Sequence, residues 1–364
     1  MNRLVLIGNG FDLAHGLNTR YEHFIVWYWE QKINEFVHKL TDTLQDKLCT
    51  FKLLDGSSWS SYVMSILRSH YPRPTNIEVI QYIFADKQRC KITPCPFFAN
   101  ILQSIVTKNW VDIENEYYSL LRQRTSPIRP STEQDIKDLN INLNTLQSYL
   151  INYLRKEEEK GIEIKEGIKG KIYRPIMKDE IAVTNQRFSG NRLGDSAPSS
   201  IMLLNFNYTK TPELYLTDSS KVRINYIHGN LNNPQSIIFG YGDELDDDYK
   251  KIQNLNENEC LRHIKSIKYL EADNYRKMLE FVESSPFQIV IMGHSCGNSD
   301  RTLLNTLFEH KNCVSIKPYY YKDKETGKDN YLELVQNISR NFKDMKLMRD
   351  RVVNKTFTEP LTLY

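Results

Sequence analysis

The chain has 364 residues and a net charge of +3 at pH 7, enough length for one large domain or two ordinary ones and no electrostatic case for nucleic acid or an anionic membrane as the main partner. No apolar run approaches the roughly 18 residues of a membrane helix, and the N-terminus lacks the basic, apolar and small-residue succession of a secretory leader, so a cytoplasmic location is expected. The six cysteines are scattered without a C-x-x-C pair, which argues against a zinc ribbon or redox dithiol; reduced thiols and no metal are expected.

Strand character begins at once, over Arg3 to Ile7, and runs into Gly8-Asn9-Gly10-Phe11-Asp12. Residues 17 to 160 then read as helix. In one segment Trp110, Ile113, Tyr117, Leu120 and Leu121 share a helical face. In another, Ser131 and Gln134 fit a capping box before Ile136, Leu139, Leu143, Leu146, Leu150 and Tyr153, a stripe at alternating three- and four-residue steps. Such a stripe packs against another long helix, within the chain or across a dimer, and Gly161 is suited to end it. Residues 161 to 200 are rich in Gly, Lys and Ser and read as an irregular return to the sheet.

The remaining strands are expected at Ile201 to Asn205, Val222 to Ile227, Ser236 to Phe239, Phe287 to Met292 and Val314 to Tyr321. Most are continuous apolar runs, the pattern of a parallel sheet buried on both faces. The expected organisation is therefore α/β. Residues 1–22 and 198–364 form a split Rossmann-like sheet domain, 23–160 a helical insertion after the first strand, and 161–197 an irregular connector.

The chemistry lies in the turns at the strand ends. These read GNGFD at 8–12, NFNYT at 205–209, IHGN at 227–230, FGYGDE at 239–244 and GHSCGNSD at 293–300. In an open parallel sheet, ligands bind outside the carboxyl ends of the strands, so these tips would converge on one crevice. The expected nucleotide contacts are Gly8, Asn9, Gly10, Phe11, Asp12, Asn205, Thr209, Gly229, Gly240, Gly293, His294, Ser295 and Asp300.

Each has a plainer alternative. Gly8-x-Gly10 offers backbone N–H groups to a phosphate, or is only a tight strand-to-helix turn. Asp12 meets a ribose hydroxyl or caps the helix. His228 has an imidazole suited to taking a proton from a sugar hydroxyl, although a lone histidine is usually structural. The Asn207 amide both donates and accepts, and so suits a ribose or a water. His294-Ser295 does not form G-x-S-x-G and argues against a nucleophile. Ser299 or Asp300 would cap a helix whose Leu303, Leu304, Leu307 and Phe308 face the core. The acids at 243, 244 and 246–248 read as a solvated loop, and Asp112 and Glu114 as surface acids or as a cover over the crevice. His15 faces either ligand or core.

Taken in order, IGNGFDLAHGLNTRYEHF, WVDIENEYYSLL, LNFNYTKT, YIHGN, IIFGYGDE and GHSCGNSDRTLL resemble the AbiH family of bacterial abortive-infection, anti-phage proteins, over residue 6 to about 304. The same blocks resemble a diverged sirtuin-like domain, with its G-x-G turn, its asparagine turn, its His-Gly and its late G-x-S turn. That resemblance implies cleavage of the nicotinamide–ribose bond of NAD, with His228 and Asn207 as catalytic residues and the Gly8–Gly10 turn on the pyrophosphate. The zinc-binding cysteine pairs of deacetylating sirtuins are absent, and Thr209 stands where many sirtuin-like domains have Asp.

Three functions are therefore expected in turn. The first is an NAD-cleaving defence enzyme answering an unknown phage trigger. The second is a non-catalytic sensor of NAD or an ADP-ribose-type nucleotide, signalling through the helical insert, which is also the candidate homo-oligomer contact. The third, opposed by the near-neutral charge, is a nucleic-acid-targeting toxin using Asp112, Glu114 and Asp243.

Overall fold

A computed structural model describes residues 1–108, 112–126, 132–182, 196–217, 221–242, 244 and 247–362. The chain divides into two compact units, Met1–Thr19 with Leu154–Tyr364, and Arg20–Tyr153. In chain order the strands are β1 (Asn2–Ile7), β2 (Thr43–Gln45), β3 (Cys49–Leu53), β4 (Cys90–Pro94), β5 (Ile201–Asn205), β6 (Val222–Tyr226), β7 (Phe287–Met292) and β8 (Cys313–Tyr319).

The first unit is α/β. Its five strands are ordered β6-β5-β1-β7-β8, and every pairing is parallel. Register explains the continuous apolar runs. Leu4 lies beside Met202 and Ile289, and Leu6 beside Leu204 and Ile291, all in one core layer. Val5, Ile7, Leu203, Val290 and Met292 alternate with them into the opposite layer. Helices Asn274–Glu283, Arg301–Phe308 and Tyr331–Arg340 supply Phe281, Leu304 and Ile338 to the first layer. Helix Glu166–Tyr173 supplies Ile168 and Ile172 to the second. With both faces covered, each such strand side chain gains roughly 1.5–3 kcal/mol by burial, and neither face is left for polar residues.

Three polar strand residues nonetheless lie in register on one face. Arg3 sits beside Gln288, which sits beside Ser315, and all three are buried. The Arg3 guanidinium donates to Gln288 Oε1 and to the carbonyls of Ile172 and Arg174. Gln288 Nε2 donates to Glu180 Oε2, and the buried Lys317 ammonium pairs with Oε1 of the same carboxylate. These bonds tie residues 172–180 to the sheet. The expected irregular stretch from 161 is thus corrected: within it lie the helix Glu166–Tyr173 and a 3-10 turn at Lys178–Glu180. A burial partner supplied by distant strands stabilises them, which local composition does not report.

A second correction concerns Ser236 to Phe239. Pro234–Ser236 forms a 3-10 turn, and the expected strand there does not form. Pro234 at the start of that turn lacks the N–H a ladder needs. The Ile238 N–H instead donates to the carbonyl of His228 at 2.9 Å.

The second unit is not wholly helical, contrary to expectation. It holds an antiparallel sheet ordered β2-β3-β4. β3 alternates buried Cys49, Phe51 and Leu53 with more exposed Thr50 and Lys52, a period-2 signal too short to stand out among helices. Phe36, from the helix Tyr21–His38, stacks on Trp59 at 4.1 Å. The leucine stripe of helix Glu133–Glu158 is buried within the chain. Thr132 and Asp135 exchange capping bonds at its start; the expected capping box of Ser131 and Gln134 rests on a residue that is not described. Ser131 and Trp110 lie outside the described residues.

Candidate functional site

β1 lies between β5 and β7, and the sheet's strand order reverses beside it, where the turns after β1 and β7 meet. They meet backbone to backbone. A Cβ on Gly8 would lie 2.5 Å from His294 Cα, and one on Gly10 2.8 Å from Gly293 Cα. Gly293 has φ +75°, and a Cβ there would lie 2.1 Å from the Phe11 nitrogen. The Gly10 N–H donates to the Gly293 carbonyl at 2.8 Å, the Gly8 N–H to the Met292 carbonyl, and the Phe11 N–H to the Gly8 carbonyl. Close approach of the neighbouring turn therefore accounts for these glycines. The Phe11 ring is fully buried, and Asn9 Oδ1 accepts from the Thr19 hydroxyl.

The NFNYT turn is built on its first asparagine. Asn205 Oδ1 accepts from the Asn207 N–H at 3.1 Å, and Asn205 Nδ2 donates to the Thr209 carbonyl at 2.9 Å. This aims the Asn207 amide at β1, where Nδ2 donates to the Gly8 carbonyl at 3.0 Å. The Thr209 hydroxyl donates to Asp12 Oδ2 at 2.6 Å. Asp12, 1% exposed, makes no cap. Burial pushes its carboxyl up to about 6, against the lowering pull of the Thr209, Thr211 and Asn207 side chains.

His15 is a core residue. Nδ1 donates to the Phe11 carbonyl at 2.7 Å, which leaves Nε2 to accept from the Tyr215 hydroxyl at 2.6 Å.

The ends of β6 and β7 carry a second constellation, centred on Asp300. Lys265 Nζ is 2.8 Å from Oδ1, His228 Nε2 is 3.3 Å from Oδ1, and His294 Nε2 is 3.6 Å from Oδ2. The Tyr269 hydroxyl is 3.1 Å from His228 Nε2. Lys265 is 1% exposed and His228 3%, so the charges interact outside bulk water. The Asp300 carboxyl is held well below the carboxylate range: burial opposes this, while Lys265 and then His228 drive it. His228 is lowered by burial first and by the Lys265 ammonium second. Asp300 occupies the N-cap position of the helix Arg301–Phe308, one of the two expected residues, but its carboxylate makes no capping bond because it is engaged here.

Phe206 joins the two constellations. Its ring centroid lies 5.3 Å from that of His228 and 4.2 Å from that of His294. It also precedes Asn207. Gly229 and Gly240 have structural reasons: a Cβ on either would meet, within 2.1 Å, the carbonyl oxygen of Ser236 or His263 respectively. The Gly240 contact belongs to a strip in which Tyr241 and Ile264 pair, setting Lys265 opposite Asp300. Ser295 is exposed. His294 Nδ1 accepts from the Cys296 N–H, and Nε2 faces Asp300, so neither ring nitrogen is poised to activate Ser295.

Lys265, Tyr269 and Phe206 were missed by sequence reasoning. Phe206 lies inside the NFNYT motif but has no chemistry of its own; Lys265 and Tyr269 sit at no strand end. Asp112 caps the helix Ile113–Arg124 through the Asn115 N–H. Glu114 is buried, which corrects its reading as a surface acid. Asp243 lies outside the described residues.

A protein-family model described as bacteriophage abortive infection AbiH matches residues 4–321. The chain belongs to the AbiH family. Its family is thus one of bacteriophage abortive infection, and every block that carries the AbiH resemblance falls inside the match. No curated protein and no solved structure matches this AbiH chain. Among the described residues, no helix is long and apolar enough to cross a membrane, and no group of three His, Cys, Asp or Glu residues is placed to hold a metal ion.

Proposed function

We propose that this AbiH protein acts in abortive infection by hydrolysing the nicotinamide–ribose bond of NAD. The observation that carries the reading is the meeting of His228 and His294 around Phe206, with Asn207 next in the chain and bonded to the Gly8 carbonyl, at the carboxyl edge of one parallel sheet. The reaction asks little of a nucleophile. The C1′–N bond breaks with its electron pair passing to the pyridinium nitrogen, which becomes neutral nicotinamide. Water adds at C1′ of the oxocarbenium-like centre, and its proton passes to a base. His228, kept neutral by burial and by Lys265, suits that base, and Asn207 suits a positioning amide. Thr209 stands where the sirtuin-like resemblance expects Asp, and Asp12 supplies a carboxylate beside it.

The test is release of nicotinamide from NAD by the full chain, with His228→Ala and Asn207→Ala alongside. Release lost in both variants is expected. Wild-type chain that releases none, both in vitro and in phage-infected cells, overturns the reading.

One observation favours a sensor as the second reading. The Asn207 amide nitrogen already donates to the Gly8 carbonyl, so it is held in place rather than free to position an attacking water. Tight NAD binding without release is that reading's outcome.

A further inference from the structure

The Asp300 carboxylate fixes which nitrogen of His228 carries the proton. An ionised carboxylate only accepts, so Nε2 of His228, 3.3 Å from Oδ1, faces it favourably as N–H, with the Tyr269 hydroxyl oxygen at 3.1 Å accepting alongside rather than donating. His294 obeys the same rule. Its Nδ1 accepts from the Cys296 N–H, so its proton is on Nε2, turned to Oδ2. Lys265 adds an ammonium at 2.8 Å. Two imidazoles and a lysine thus direct donors at one buried carboxylate, which is held in place and ionised by them. The groups facing His228 are Asp300, Lys265, His294 and the Tyr269 hydroxyl. A neutral imidazole with N–H at Nε2 carries its lone pair at Nδ1.

We propose that Asp300, clamped by Lys265 and His294, is a positioning residue that locks His228 in the neutral Nε2–H tautomer and so makes Nδ1 the general base. This rests on the hydrolytic reading above. Nδ1 takes the proton of the attacking water as the C1′–O bond forms; the resulting imidazolium is stabilised by Asp300 and returns the proton to solvent. Lys265 keeps the imidazole from being protonated before the reaction.

Removing Asp300 alone leaves the Lys265 ammonium buried without its carboxylate, which endangers folding. The informative protein is therefore the charge-neutral double variant Lys265→Met/Asp300→Asn, in the full chain. Long-range ¹H–¹⁵N NMR, with His228 assigned by comparison with His228→Gln, reads the tautomer directly. The wild type is expected to show the proton on Nε2 at pH 7, and the double variant a mixture of the two forms. Nicotinamide release is expected to fall about 100-fold or more in kcat, with KM unchanged. A wild-type proton on Nδ1, or a double variant with wild-type kcat, overturns the proposal. Failure of the hydrolytic reading shows itself separately, as a wild-type chain without release; it removes the base role of Nδ1, while the NMR spectrum still decides the tautomer lock.

Discussion

The Thr209 hydroxyl bonds Asp12 Oδ2 at 2.6 Å across 197 residues of sequence. It joins the end of β5 to the short helix after β1, and it is the close partner of a carboxyl with almost no solvent. The other oxygen, Oδ1, is buried with no donor in bonding geometry, as is the Thr211 hydroxyl. Asp12 therefore holds its proton in the folded chain up to about pH 6, against an ordinary 3.8.

Linkage fixes the sign of the pH effect. Between those two values the folded chain binds more proton than the unfolded one, so stability falls as pH rises from about 4 to about 6 and stays low above it. The full effect is on the order of 2–3 kcal/mol. Asp12→Asn keeps the shape and removes the charge. It is expected to be more stable than the wild type at pH 7.5, by on the order of 1–3 kcal/mol, and nearly equal at pH 3.5. Urea midpoints at the two pH values measure it, and a less stable variant at pH 7.5 would show that the carboxylate is satisfied.

Gly293 and Gly16 separate crowding from backbone conformation. Both have positive φ, +75° and +85°. A Cβ at 293 would strike the backbone of Gly10 and Phe11, whereas nothing lies within 4 Å of one at 16. Gly16→Ala is expected to cost about 1–2 kcal/mol for its left-handed conformation alone. Gly293→Ala must also push the β1 and β7 turns apart, and is expected to yield no soluble folded chain. Expression with circular dichroism compares the two. A well-folded Gly293→Ala would mean that the two turns are not packed backbone against backbone.

Local sequence reported some elements faithfully and others not at all, for reasons that can be named. β1 and β7 were legible because six-residue strands buried on both faces must be almost wholly apolar. The helix Arg301–Phe308 was legible from four apolar residues on one face. β3 was hidden because five residues of alternation carry little signal inside a helical stretch. Ser236 to Phe239 misled because apolar residues can be buried by turns as well as by ladders. His228 and Asn207 stood out by type and by their place after strands. Lys265 did not, because its importance lies in Asp300, 35 residues away, and no local pattern links them.

Lys32 and Asp46 in the second unit offer an asymmetric test of a buried pair. Asp46 Oδ2 receives Lys32 Nζ at 2.9 Å and the Tyr28 and Tyr149 hydroxyls at 3.0 Å each. Oδ1 receives the N–H groups of Leu48 and Cys49. Without Lys32 the carboxylate keeps four donors. Without Asp46 the ammonium, 2% exposed, keeps the half-exposed Glu35, the Tyr149 hydroxyl and the faces of the Tyr28 and Tyr149 rings, with no buried anion. Asp46→Ala is therefore expected to cost about 3–5 kcal/mol, and Lys32→Met no more than about 2. Equal losses in denaturant titration would contradict the asymmetry.

The Tyr215 hydroxyl has two duties at the base of the first unit, and its removal should make stability depend on pH in a particular way. It donates to His15 Nε2 at 2.6 Å and accepts from the Lys165 N–H at 3.0 Å. Burial lowers the His15 pKa below 6.5, opposed by the Phe11 carbonyl. The stabilisation that comes with a neutral His15 is thus present above pH 6.5 and is lost as pH falls through that value, where the unfolded chain takes up the proton first. Tyr215→Phe orphans both the imidazole lone pair and the amide, an expected loss of about 1–3 kcal/mol at pH 7.5. The donor that favoured a bare Nε2 is gone in this variant, so His15 protonates more readily, and the gap to the wild type should narrow between pH 6.5 and pH 5. Chemical denaturation across that range reads the gap at each pH. A constant gap would mean that the phenol supports Lys165 alone and that the histidine does not depend on it.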